Sequence, residues 1–348
     1  MSTEDLYCAM NNSSDSLPLG KLDHDLLDRL IKKYTRHSDR VIQGARLGED
    51  ATVIEMTDRY LICKTDPITF ATDQIGYYAV HVNMNDIVCM GGVPKWFMAS
   101  IILPAGTTQD QADGIFRQLS ETCQQENVIY CGGHTEVTAD VPRPIVSGHM
   151  IGETDFDGLI LKKNARVGDR LVLAQPIAVE GTSIIAREHA AGLKKKYSPE
   201  FIKACQNMLF DPGISVKRTA LTAVETVNVH AMHDPTEGGL ATAVYELASA
   251  ANLGVRLDRD RIPVLESTQL LCGVYNLDVL GLIASGSLLI ACAVPDVDTL
   301  LTALQDQGIV AADIGELLHP DKGKRILQDG KETELPIFSQ DEIVKVFS

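Results

Sequence analysis

Three aspartates stand beside small or turn-forming residues in the first part of the chain: Asp50 in Gly48-Glu49-Asp50-Ala51, Asp66 in Lys64-Thr65-Asp66-Pro67, and Asp86 in Asn83-Met84-Asn85-Asp86. Each taken alone could cap a turn. Together they could supply the oxygen ligands of a magnesium ion, which takes one or two carboxylates with phosphate oxygens and water. Asn85 and Asp86 fall inside an otherwise apolar helical stretch, Ala79 to Met90, where a carboxylate is costly unless it is paired or bound to a metal.

Two glycine pairs add candidate ligand contacts. Gly132-Gly133 in Tyr130-Cys131-Gly132-Gly133-His134-Thr135-Glu136 reads as a connection between a helix and a later strand, whose backbone can approach a phosphate closely. His134 and Glu136 then sit at its tip, and His134 is open to two readings, a metal ligand or general base and a turn histidine satisfied by backbone. His233-Asp234-Pro235-Thr236-Glu237-Gly238-Gly239 precedes a strong helix; Asp234 or Thr236 could cap it, and its N-terminus is also a ready anion site.

The elements that must position these groups follow from periodicity. Residues 1–20 show no period and read as an arm. A first unit over 21–156 begins with a helix carrying Leu26, Leu27, Leu30 and Ile31 on one face, then a hairpin through Ala51–Ile54 and Tyr60–Cys63. It continues with a helix at 75–90, a strand at Pro94–Leu103, a helix at Thr108–Asn127 and a strand at Ile145–Ile151. A turn-rich stretch follows, and a second unit over 165–348 opens on the strand Arg170–Ala174, with helices near 181–192, 199–207, 212–226 and 238–253. The irregular mixture of strands and helices predicts two α+β domains.

Composition narrows the function class. A net charge of −16 gives no basic footprint for a phosphate backbone, and the one dense basic run, Lys194-Lys195-Lys196, reads as solvated surface, so no nucleic acid is expected. An anionic ligand must then be held by backbone amides or a bridging cation. The eight cysteines form no C-x-x-C pair, which fits free thiols in a reducing compartment. The acidic start, Met1-Ser2-Thr3-Glu4-Asp5, lacks a signal-peptide core, and the longest uncharged apolar run, Val279 to Val294, is short for a membrane span. A cytoplasmic protein without a membrane anchor is expected.

The order of these segments resembles one superfamily: Gly-Glu-Asp-Ala, Thr-Asp-Pro, Asn-Asp-Ile-Val-Cys-Met-Gly-Gly-Val-Pro at 85–94, Gly-Gly-His-Thr-Glu, and Asp-Pro-Thr-Glu-Gly-Gly-Leu-Ala. It is that of aminoimidazole ribonucleotide (AIR) synthase, thiamine-monophosphate kinase, selenophosphate synthetase and HypE, over about residues 22–320. Asp-Pro-Thr-x-Gly-Gly-Leu-Ala and Ala284-Ser285-Gly286-Ser287-Leu288 look most like the HypE branch. The resemblance implies an N-terminal domain whose strands join those of a second copy into a β-barrel at a homodimer interface, a C-terminal α+β domain, and ATP with Mg2+ between them. Residue by residue it implies Asp50, Asp66 and Asp86 as metal and phosphate ligands, Asn85 beside them, Gly132 and Gly133 near the phosphates, and Asp234 facing the cleft.

HypE-type proteins carry a C-terminal cysteine that accepts a carbamoyl group, whereas the last cysteine here is Cys292 and the sequence closes on Val344-Lys345-Val346-Phe347-Ser348. His134 stands where the synthase and the thiamine-phosphate kinase have an acid, and Glu49 where an aspartate is usual. The expected function is therefore ATP- and Mg2+-dependent activation of a small amide or acid by phosphoryl transfer. The alternative is a nucleotide-binding maturation partner acting in a protein complex, for a hydrogenase or other metalloenzyme, without cysteine carbamoylation. His134 and Asp234 are the candidate catalytic residues.

Overall fold

Local chemistry starts the helices where the sequence marks them. The Asp23 carboxylate accepts from the amides of Asp25 and Leu26, and Thr108 and Gln111 close a reciprocal capping box. A computed structural model describes residue 17 and residues 22–46, 48–49, 51–69 and 73–347. The arm expected over 1–20, save residue 17, and Asp50 lie outside the described residues.

The first half runs α1 (His24–Tyr34), β1 (Val41–Gln43), β2 (Thr52–Glu55), β3 (Tyr60–Ile68), α2 (Ile75–Cys89), β4 (Val93–Pro104), α3 (Gln109–Gln125), β5 (Ile129–Thr138) and β6 (Ile145–Thr154). Its six strands form one sheet in the order β1-β2-β3-β6-β4-β5, antiparallel except for the parallel β4–β5 pair. Helix α2 is apolar on every side, and such a helix must be covered all round. All its residues but Tyr77 are buried, against β3, β6 and α3.

The second half runs β7 (Arg170–Ala174), α4 (Val179–Glu188), α5 (Ala190–Leu193), α6 (Pro199–Asn207), α7 (Lys217–Thr226), β8 (Val229–His233), α8 (Gly239–Ala250), β9 (Gly254–Asp258), α9 (Glu266–Tyr275), β10 (Leu288–Cys292), α10 (Val297–Asp306), β11 (Ala311–Leu318), β12 (Lys324–Gln328), β13 (Lys331–Glu334) and α11 (Val344–Phe347). The seven strands pair in the order β13-β12-β9-β11-β7-β10-β8. β7 and β10, interior strands of this sheet, read Leu-Val-Leu-Ala and Leu-Leu-Ile-Ala-Cys without alternation because both faces are covered. The fold is two mixed α+β domains, as the periodicity predicts.

Several local expectations are corrected. Asp66-Pro67 is no turn: both residues lie within β3, paired with Gly148 and Ser147 of β6. Tyr130–Glu136 is no loop either, but the middle of β5, an edge strand whose residues are exposed or half-buried on both faces. With neither face covered, β5 carries no apolar alternation to read. The helix expected over 181–192 is split at His189, and the one expected from 212 begins only at Lys217. No helix among the described residues is long and apolar enough to cross a membrane.

Candidate functional site

Residues two apart on a strand share a face, so Lys64 and Asp66 leave β3 together toward α2. The Lys64 ammonium lies 2.8 Å from Asp86 Oδ2 and 3.2 Å from Asp66 Oδ2, gathering both carboxylates about one positive charge. Asp86 is 4% exposed, and a carboxylate so deep is costly unless a cation such as Lys64 pairs with it. The Asp66 side chain is 38% exposed and forms the open end of the cluster.

Asn85, next along α2, points away from this pair into the second domain. Its Nδ2 donates to the Ile214 carbonyl at 2.8 Å, and its Oδ1 accepts from the Val216 amide at 3.1 Å. It is a staple between the two halves. Lys162 makes a second tie, donating to the Gly48 carbonyl at 2.6 Å while lying 3.3 Å from His233 Nε2. The segment that leads to Asp50 is thus held from the residues that join the domains.

Asp234, fully buried just after β8, comes to the same helix: its Oδ1 accepts from Cys89 Sγ at 3.6 Å, one turn beyond Asp86. Neither Asp234 nor Thr236 caps α8. The cap is Gly238, whose φ of +84° suits glycine, and its amide donates to Asp341 Oδ2 at 2.6 Å. The anion seated at this helix N-terminus is therefore the chain's own Asp341, which also accepts from the Ile283 and Ile343 amides. Burial outweighs these three donors and pushes its carboxyl up to about 6.

Between the domains lies a small cavity of about 90 Å3, walled by Asp66, Pro67 and Tyr78 on one side and by Glu180, Thr236 and Ser285 on the other. Glu180, in the first turn of α4, is 3% exposed, and one of its carboxylate oxygens accepts from the Ser285 amide at 2.9 Å. Burial pushes its carboxyl up to about 7. It can therefore hold or release a proton near neutral pH, as a general acid or base must.

Gly132, Gly133 and His134 stand elsewhere on the sheet. Gly132 pairs with Met98, Met98 with His149, and His149 with Thr65, so three inter-strand steps, about 14 Å, separate them from the Asp66 strand. Gly133 has φ +143°, and a Cβ there would come within 1.9 Å of the Ala99 carbonyl oxygen, so this glycine is required by the β4 backbone. Gly132 has open space where a Cβ would lie. The exposed His134 imidazole meets Glu136 at 3.2 Å. Among the described residues no group of three or more His, Cys, Asp or Glu is placed to hold a metal ion; of the three aspartates the sequence singles out, two are described and adjacent.

Lys64 and Glu180 are the site residues that sequence reasoning missed. Lys64 is two positions before Asp66 on one strand face, and Glu180 is the one charged residue between Ile177 and Ile185, a signal akin to the one that marks Asp86.

The model of the AIR synthase related protein N-terminal domain matches residues 48–154, and that of the C-terminal domain matches residues 166–328. The chain belongs to the AIR synthase-related family. It is similar to a putative hydrogenase expression/formation protein of Methanocaldococcus jannaschii, 27% identical over 293 residues that cover 82% of this chain and 84% of that one. It is similar also to the carbamoyl dehydratase HypE of Rhizobium leguminosarum bv. viciae, 27% identical over 295 residues and 79% of both chains. Among solved structures, the hydrogenase maturation protein HypE in complex with ATP superposes with a TM-score of 0.71 at 21% identity, over 95% of this chain and 98% of that one. That likeness speaks for the family fold.

Proposed function

We propose that this AIR synthase-related protein is an ATP- and Mg2+-dependent enzyme that activates an oxygen of a small amide or acid by phosphoryl transfer. The observation that carries the reading is the pairing of Asp66 and Asp86 about one cation at the edge of a cleft whose opposite wall holds Glu180. Two carboxylates already gathered about one positive charge are a donor set that suits a hard divalent cation. Asp66 and Asp86, with Asp50 as the third ligand, would hold Mg2+. The ion would offset phosphate charge. Lys64 then neutralises the cluster or a phosphate oxygen, and Glu180 accepts an N–H or O–H of the substrate and takes or returns its proton. The small cavity fits only the reacting end of a molecule.

A homodimer completes the site in this reading. Among the described residues β5 ends its sheet with uncovered faces and an unpaired edge, and a second copy laid along it would extend the strands into a barrel. Gly132, Gly133 and His134 would approach phosphate across that interface. The described cysteines are free thiols, which suits the cytoplasm.

A second reading, a nucleotide-binding partner in metalloenzyme maturation without cysteine carbamoylation, is favoured by the names of the relatives. Cys292 cannot easily serve as an acceptor thiol, because burial in β10 pushes it up to about 12. ADP release measured against a panel of small amides and carboxylic acids separates the two. The enzyme reading expects one class to stimulate release, with Asp86→Asn lowering it by roughly 100-fold or more. No stimulation by any compound, together with a stoichiometric protein partner recovered from the native host, favours the second.

A further inference from the structure

The linker between the domains borders a second cavity, about 670 Å3 in volume, that shares no residue with the cleft. Its walls come from the linker, from Gly91 beyond α2, and from the end of α7 with the start of β8. Lys163 and Arg166 line it, and neither forms a salt bridge among the described residues. His230 lines it too, with only 7% of its side chain exposed. The His230 Nδ1 donates to Asp169 Oδ2 at 2.8 Å, and that oxygen also accepts from the Arg166 amide, so the ring is fixed from behind. Asn164 and Asn228 add amide side chains, and the one acid in the lining is Asp157.

In a chain of net charge −16, Lys163 and Arg166 give this one concavity a local positive charge that Asp157 only partly offsets. The two cations line a space large enough for a small molecule. We propose that the linker cavity binds a small, multiply charged anion of the phosphate type, with Lys163 and Arg166 supplying the charge and the Asn164 and Asn228 amides able to donate N–H bonds. The site is independent of the proposed phosphoryl-transfer reading and of magnesium.

Equilibrium dialysis against radiolabelled pyrophosphate, without magnesium and at fixed ionic strength, tests it. Wild type is expected to bind one pyrophosphate per chain saturably. Lys163→Gln with Arg166→Gln, both exposed and tolerant of change, should weaken binding at least 10-fold while thermal unfolding reports that the fold persists. Asp66→Asn should leave it unchanged. Absence of saturable binding, or binding that survives the double substitution, overturns the proposal. Binding lost in Asp66→Asn and kept in the double variant assigns the anion to the cleft and overturns it equally.

Discussion

Lys64 is the positive charge that pairs with Asp86 inside the first domain. Replacing it by methionine keeps the stem and removes the charge that meets Asp86 at 2.8 Å, and should cost about 3 kcal/mol in chemical denaturation. If Asp66 and Asp86 are cation ligands, millimolar magnesium should restore part of that loss; an unchanged unfolding midpoint would deny the ion pair its role. Glu180 makes a different prediction. Its carboxyl, at about 7, and that of Asp341, at about 6, lie above their ordinary values of 4.5 and 3.8, so the folded state holds protons that the unfolded chain releases. The stability these groups contribute is complete below about pH 4 and is lost as pH rises to 7. Glu180→Gln should flatten that fall and exceed wild type in stability at pH 8, measured by thermal unfolding across pH; parallel profiles for the two proteins would contradict it. The importance of Asp86 was legible in the sequence because a lone acid in an apolar helix has to be explained. Asp341 was not, since nothing local shows that it reaches back to cap a helix a hundred residues earlier.

At the scale of elements, covered faces were legible and uncovered ones were not. α2, α3 and the central strands show their burial in their apolar pattern, whereas β5 has no covered face and its Gly-Gly reads as a turn. Pro67 suggests a turn as well, yet β3 carries it as a strand residue. The two glycines of β5 now separate by experiment. Gly133→Ala drives a methyl into the Ala99 carbonyl and should destabilise the β4–β5 pair, whereas Gly132→Ala has room within the chain and should leave stability within about 0.5 kcal/mol of wild type. A Gly132→Ala protein of normal stability that fails to bind nucleotide would locate the ligand, or a second copy, against that strand. Equal destabilisation by the two substitutions would contradict the packing described.

For the whole molecule, the question is how two α+β domains make one cleft. Asn85, Lys162 and the Cys89–Asp234 contact tie them together at several points, two of them on α2 within a turn of Asp86. Asn85→Ala leaves the Ile214 carbonyl and Val216 amide without their partner and should cost about 2 kcal/mol. These ties join residues far apart in sequence, which is why motif order identified the family while the cleft's own lining did not emerge from it. The central claim is that Asp66 and Asp86 form a magnesium-nucleotide site, and calorimetric titration of wild type and Asp66→Asn with ATP and a non-hydrolysable analogue, with and without magnesium, tests it most directly. The account predicts magnesium-dependent binding by wild type that Asp66→Asn abolishes without loss of fold. Equal binding by both proteins, or none by wild type in any condition, would contradict it.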